Sequence, residues 1–179
     1  MKRLLVACVV CATALAAGER PRVTRDNLAI VEKDVDQGIR GLDANAPYEL
    51  LGFTRGVYLP GYGVVLSSET NLVFTMLTPF HPALTNEKVK DLRQKKIERL
   101  GAFRDFMRRQ LVAAAAALDT VPANEQIVFG VTFFYRRFED REGLPGQIVM
   151  QAPKQTLLDF KANRISKAQF DAAVQVQEL

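Results

Sequence analysis

The segment 127–135 constrains the fold more than any other. Ile127, Phe129, Val131, Phe133 and Tyr135 fall on one side of an extended chain, and Val128, Thr132 and Phe134 on the other. Side chains alternate across a strand, so a strand here is largely apolar on both faces. Such a strand belongs in the middle of a sheet, with neighbours on both edges. The chain must therefore supply further strands, and helices to pack on them.

The remaining pattern supplies both. Within 24–42, Leu28, Val31, Val35, Ile39 and Leu42 recur at helical spacing, with Glu32, Lys33, Asp34 and Asp36 off the stripe and Thr24 or Asp26 placed to cap the start. Leu51, Phe53, Val57 and Leu59 alternate along one strand, interrupted by Arg55, and Val64, Leu66, Thr70 and Leu72 along the next. Between them, Leu59-Pro60-Gly61-Tyr62-Gly63 puts proline where a type II turn fixes φ and glycine where it needs φ > 0, which predicts a β-hairpin.

A long helix is expected over 86–118, with Val89, Leu92, Ile97, Leu100, Phe103, Met107 and Leu111 as its stripe. At about 1.5 Å per residue it would exceed the width of a domain this size, so a bend or break is expected near Gly101. The charged run 136–142 and Gly143-Leu144-Pro145-Gly146 connect the strand at 127–135 to a last strand through Ile148 and Met150. Two short helices, 155–163 and 166–177, close the pattern, the second opened by a Ser166 to Gln169 capping box. The expected class is α+β, a four-stranded, mainly antiparallel sheet with helices packed on it, in the order α-ββ-α-ββ-αα.

The N-terminus reads as an address. Lys2 and Arg3 precede an apolar run from Leu4 to Leu15 that ends in small residues, the layout of a secretory signal, and the expected division is a cleaved segment 1–16 and a single domain 17–179. About a dozen apolar residues fall short of the roughly 20 needed to cross a bilayer as a helix. Cys8 and Cys11, the two cysteines, both lie in this segment, so a C-x-x-C redox or zinc reading competes poorly with two apolar signal residues, and a lipid-attachment box at Cys8 would leave a very short signal. Without Lys2 and Arg3 the 24 basic residues fall to 22 against 20 acidic ones, a nearly balanced charge that gives little reason to expect nucleic acid. The absence of cysteine from 17–179 and of any N-x-[ST] acceptor leans toward a bacterial periplasm or the extracellular medium.

Residues able to carry chemistry are few. His81 is the sole histidine, flanked by Phe80 and Pro82, so any imidazole-based scheme runs through it. Ser67 and Ser68 sit on a strand with no G-x-S-x-G elbow, and neither a metal-ligand cluster nor a phosphate loop is present, so no metal and no cofactor is expected. Arg55, Tyr58 and Glu69 can meet across the first hairpin, where an ion pair or a binding site are the alternatives. The segment 86–111 holds nine basic residues against four acidic ones, with Lys95, Arg99 and Arg108 as candidate contacts for an anionic surface.

The hairpin Arg55-Gly56-Val57-Tyr58-Leu59-Pro60-Gly61-Tyr62-Gly63-Val64-Val65 resembles one that recurs in uncharacterised exported bacterial proteins. The resemblance implies export and an α+β fold and carries no activity or catalytic residue. The leading expectation is a non-enzymatic binding or interaction domain of the bacterial envelope, in which the hairpin around Tyr58 and Tyr62, with Arg55 and Glu69, or the basic helix contacts a partner, either a protein or an anionic envelope component. The alternatives are an acid–base hydrolase using His81 or a carboxylate such as Glu69, and a binder of an anionic envelope component through 86–111.

Overall fold

The computed structural model describes residues 23–74 and 85–179. The segment 1–16, with Cys8 and Cys11, and the connector holding His81 lie outside the described residues. The first element is helix α1 (Arg25–Gly41), which starts where Thr24 accepts the N–H of Asn27 and Asn27 bonds back to Thr24, so of the two candidate caps Thr24 is the one used. Three strands follow, β1 (Glu49–Leu50), β2 (Arg55–Leu59) and β3 (Gly63–Asn71), and then helix α2 (Asn86–Ala117). The chain continues through β4 (Gln126–Phe133), β5 (Gln147–Pro153), α3 (Lys154–Lys161), α4 (Lys167–Ala173) and β6 (Gln175–Glu178).

The class is α+β, but the sheet is larger and of different sense from the sequence expectation. It has six strands in the order β1-β3-β4-β5-β6, with β2 also on β3, and it is mixed because β3 and β4 run parallel while the other pairs are antiparallel. The reason is α2. It runs unbroken for 32 residues, past the exposed Gly101, and so carries the chain back along the sheet to begin β4 beside the start of β3. β4 lies between β3 and β5, the central place its sequence requires.

Two strands escaped the pattern. β1 has two residues, too few for periodicity, and β6 occupies residues assigned by spacing to the last helix, which ends at Ala173. The Leu59–Tyr62 turn has the expected form, with Tyr62 N–H donating to the Leu59 carbonyl at 3.0 Å and Gly61 at φ +83°.

Val64, Leu66, Ile127, Phe129, Val131, Phe133, Ile148, Met150 and Ala152 all point to one face of the sheet and join α1 and α2 in one core. Phe103 on α2 sits at its centre, 5.5 Å ring to ring from both Tyr48 and Phe133. The α2 stripe differs from expectation at one step: Lys96 is fully buried and Ile97 is 36% exposed. Lys96 fits the helical row between Leu92 and Leu100, and it is accommodated by Glu139, buried beside it, with which it forms an ion pair. Glu32 and Asp36, expected off the α1 stripe, are likewise buried.

Candidate functional site

Because the core residues of every central strand share one face, the helices form a single layer and the opposite face of the sheet has no layer of its own among the described residues. Strand register arranges that open face in rows. Val57 stands beside Val65, which stands beside Val128; Arg55 stands beside Ser67, and Ser67 beside Gly130. Glu69 pairs with Thr132. Phe53, Val57, Leu59 and Tyr62 remain 65%, 49%, 43% and 44% exposed.

The apolar run Leu51, Phe53, Val57 and Leu59 is therefore not core, as the alternation suggested. Gly56 and Tyr58 face the helices instead, and Leu51 is half-buried. Arg55 in the middle of the run was the signal: an unpaired guanidinium facing a helix layer would be costly, so a face that contains it turns to water.

The hairpin is held rigidly. Glu125 Oε1 accepts both the Gly61 N–H at 2.9 Å and the Tyr58 hydroxyl at 3.2 Å. Tyr62 donates its hydroxyl to Gln151 Oε1 at 3.0 Å. Gln151 is the register partner of Val128, so the tyrosine ring crosses β4 there, and Val128 is buried on a face that is otherwise open.

Arg55 and Glu69 line one shallow hollow of about 360 Å³ with Leu51, Phe53, Ser67 and Thr132. No ion pair joins them, and the Arg55 guanidinium lies 5.9 Å from the centre of the Phe53 ring. Tyr58 is on the opposite face and does not meet them. Ser68 also lines the hollow; it is buried, with its hydroxyl 2.7 Å from that of Thr54.

No protein-family model, curated protein or solved structure matches the chain.

The basic helix is largely spoken for by the protein itself. Arg93 pairs with Asp140 and Glu142, Lys96 with Glu139, and Arg104 with Glu178, while Arg108 lies near Asp105 and Asp171. Arg99 lies 3.8 Å over the Tyr48 ring and donates to the Ala46 carbonyl. Lys95 is exposed, at a position that faces away from the core. Burial pushes the Lys96 amine below its ordinary range, against the opposing pull of Glu139. The neighbouring Tyr135 phenol is pushed up to about 12, by burial first and then by the Glu139 charge. This group fixes the 134–146 connection onto α2 and does not line the hollow beside Arg55.

Among the described residues no group of three or more His, Cys, Asp or Glu could hold a metal ion, and no helix is long and apolar enough to cross a membrane.

Proposed function

We propose that this protein is a non-enzymatic binding domain of an exported bacterial envelope protein and that it takes a protein partner on the open face of its sheet. The observation that carries this reading is the exposure of Val57, Leu59 and Tyr62 beside Arg55 on one hairpin, with Phe53 exposed just before it. Aromatic residues and arginine are the types enriched in protein interfaces, and a preformed surface loses little entropy on binding. The face carries both signs of charge, Arg55 and Glu69, with Thr132, Gln147 and Gln151 toward its far side. That composition suits a protein surface, whereas an anionic lipid or polymer would call for an excess of cations. Export itself rests on the layout of residues 1–16.

The test is recovery of a partner from the envelope of cells that make the protein. Val57→Asp and Leu59→Asp, both at exposed positions, are expected to abolish recovery while leaving the thermal melt within a few degrees of the parent. Recovery unaffected by both substitutions would contradict the reading.

A further inference from the structure

On the helix layer, across the sheet from the open face, α2, α3 and α4 enclose a second cleft of about 390 Å³, within the size range of small-molecule sites. Its floor is apolar. Phe160 of α3 and Phe170 of α4 stack at 4.1 Å with their planes 14° apart, and Val112 of α2 lies beside them. The rim is charged, with Arg108 and Arg109 from α2 and Lys167 from α4.

Arg108 decides the chemistry. Its Nη1 is 3.6 Å from Asp105 and its Nε 3.7 Å from Asp171 Oδ1, both beyond hydrogen-bond range. Nε and Asp171 Oδ1 are buried and each lacks a hydrogen-bond partner. Asp171 is already engaged through its other oxygen, which accepts from Lys167 at 2.5 Å. A guanidinium carries five donors; Nε and Nη1 of this one are held toward Asp171 and Asp105 by charge alone, and the side chain also lines the cleft. The cleft is lined by three cations, Arg108, Arg109 and Lys167, and one carboxylate, Asp105; with Asp171, the partner of Arg108 and Lys167, counted too, an excess of one positive charge remains.

We infer that this cleft binds a small amphipathic monocarboxylate, its apolar body against Phe160 and Val112 and its carboxylate among the rim cations Arg108, Arg109 and Lys167. Both halves of the ligand are required. A free inorganic anion leaves the aromatic floor wet, and a neutral apolar molecule leaves the excess charge uncompensated.

Titration of the purified protein with sodium 2-naphthoate tests this, with 2-naphthalenemethanol as the neutral molecule of the same body. The naphthoate is expected to bind saturably with one-to-one stoichiometry and the alcohol at least about tenfold more weakly, as the loss of a hydrogen bond to a charged group implies. Arg108→Gln should weaken the naphthoate by about tenfold or more and leave the alcohol unchanged. Val112→Trp, which fills the floor, should abolish both. If Arg108→Gln melts too low to be read, Arg109→Gln and Lys167→Gln, both at exposed positions, carry the same test with a smaller loss expected for each. Non-saturating naphthoate binding, equal affinity for the alcohol, or indifference to removal of the rim cations would overturn the inference.

Discussion

Glu32 on α1 accepts the backbone N–H of Gly56 on the edge strand at 2.6 Å. One helical turn further on, Asp36 accepts the N–H of Thr54 at 2.9 Å. The spacing matches: four residues of helix rise about 6 Å, and two residues of strand about 6.6 Å, so carboxylates at i and i+4 reach alternate outward N–H groups. Here Leu51, Gly52, Phe53 and Thr54 stand opposite only Ser68 and Glu69, a bulge between β1 and β2, and α1 covers the donors it frees. These two bonds cover outward N–H groups that an added strand would otherwise pair with.

Glu32→Ala leaves the Gly56 N–H without its partner, and a loss of about 1–3 kcal/mol in urea unfolding is expected. The pH dependence has a definite sign. Burial raises the Glu32 carboxyl, but the hydrogen bonds from Arg25 and Gly56 outweigh it and hold the group below its ordinary value of 4.5. Its stabilisation is present in full above that value and is lost as pH falls through the lower, folded one. The stability difference between the parent and Glu32→Gln should therefore be constant near neutrality and shrink in acid.

Lys96 and Glu139 test the buried pair. Their side chains are 0% and 2% exposed, and Glu139 also accepts the Arg136 N–H at 3.1 Å. Lys96→Met alone strands a carboxylate and is expected to cost about 3–5 kcal/mol. Adding Glu139→Leu should recover much of that loss in chemical denaturation, because no unpaired charge is left inside.

Gly63 and Gly101 should respond in opposite directions. Gly63 has φ +139°, and a Cβ there would lie 1.9 Å from the carbonyl oxygen of Gln126, so Gly63→Ala must part β3 from β4. Gly101 meets nothing within 4 Å, and Gly101→Ala in the middle of α2 should stabilise by about 1 kcal/mol through helix propensity. Thermal melts of the two variants would move to either side of the parent.

Lys154 caps the end of α2. Its amine donates to the carbonyls of Leu118, Asp119 and Val121 at 2.7, 3.2 and 2.6 Å, groups for which the helix offers no partner. Burial lowers its pKa, so the bonds are made at the expense of solvation. Lys154→Met should cost about 1.5–3 kcal/mol and speed amide exchange at the C-terminal turn of α2.

Much of this architecture was legible where periodicity is long. The α1 stripe, the proline-glycine turn and the central position of β4 all follow from spacing. What spacing could not reveal depends on contacts distant in sequence. The parallel pairing of β3 and β4 is set by the length of α2 and its return path, which hydrophobic alternation does not encode. Lys96, Glu32 and Asp36 read as solvent-facing charges because their partners, Glu139, Gly56 and Thr54, come from other elements. Among the candidate residues, Tyr62 stands out in the sequence by its place in the turn and Arg55 by its interruption of an apolar run. The direction in which that run faced was missed, since both faces of β2 offer plausible residues and only the packing of α1 chooses between them.

We propose that the open sheet face, rather than the helix layer, meets a protein partner. A photo-crosslinking residue placed at Val57 or Tyr62, and in separate variants at Lys33 or Lys95 on the helix side, tests it directly in cells that make the protein. One discrete heavier species is expected from positions 57 and 62 and none from 33 and 95. Adducts confined to 33 and 95, or formed equally from all four positions, would contradict it.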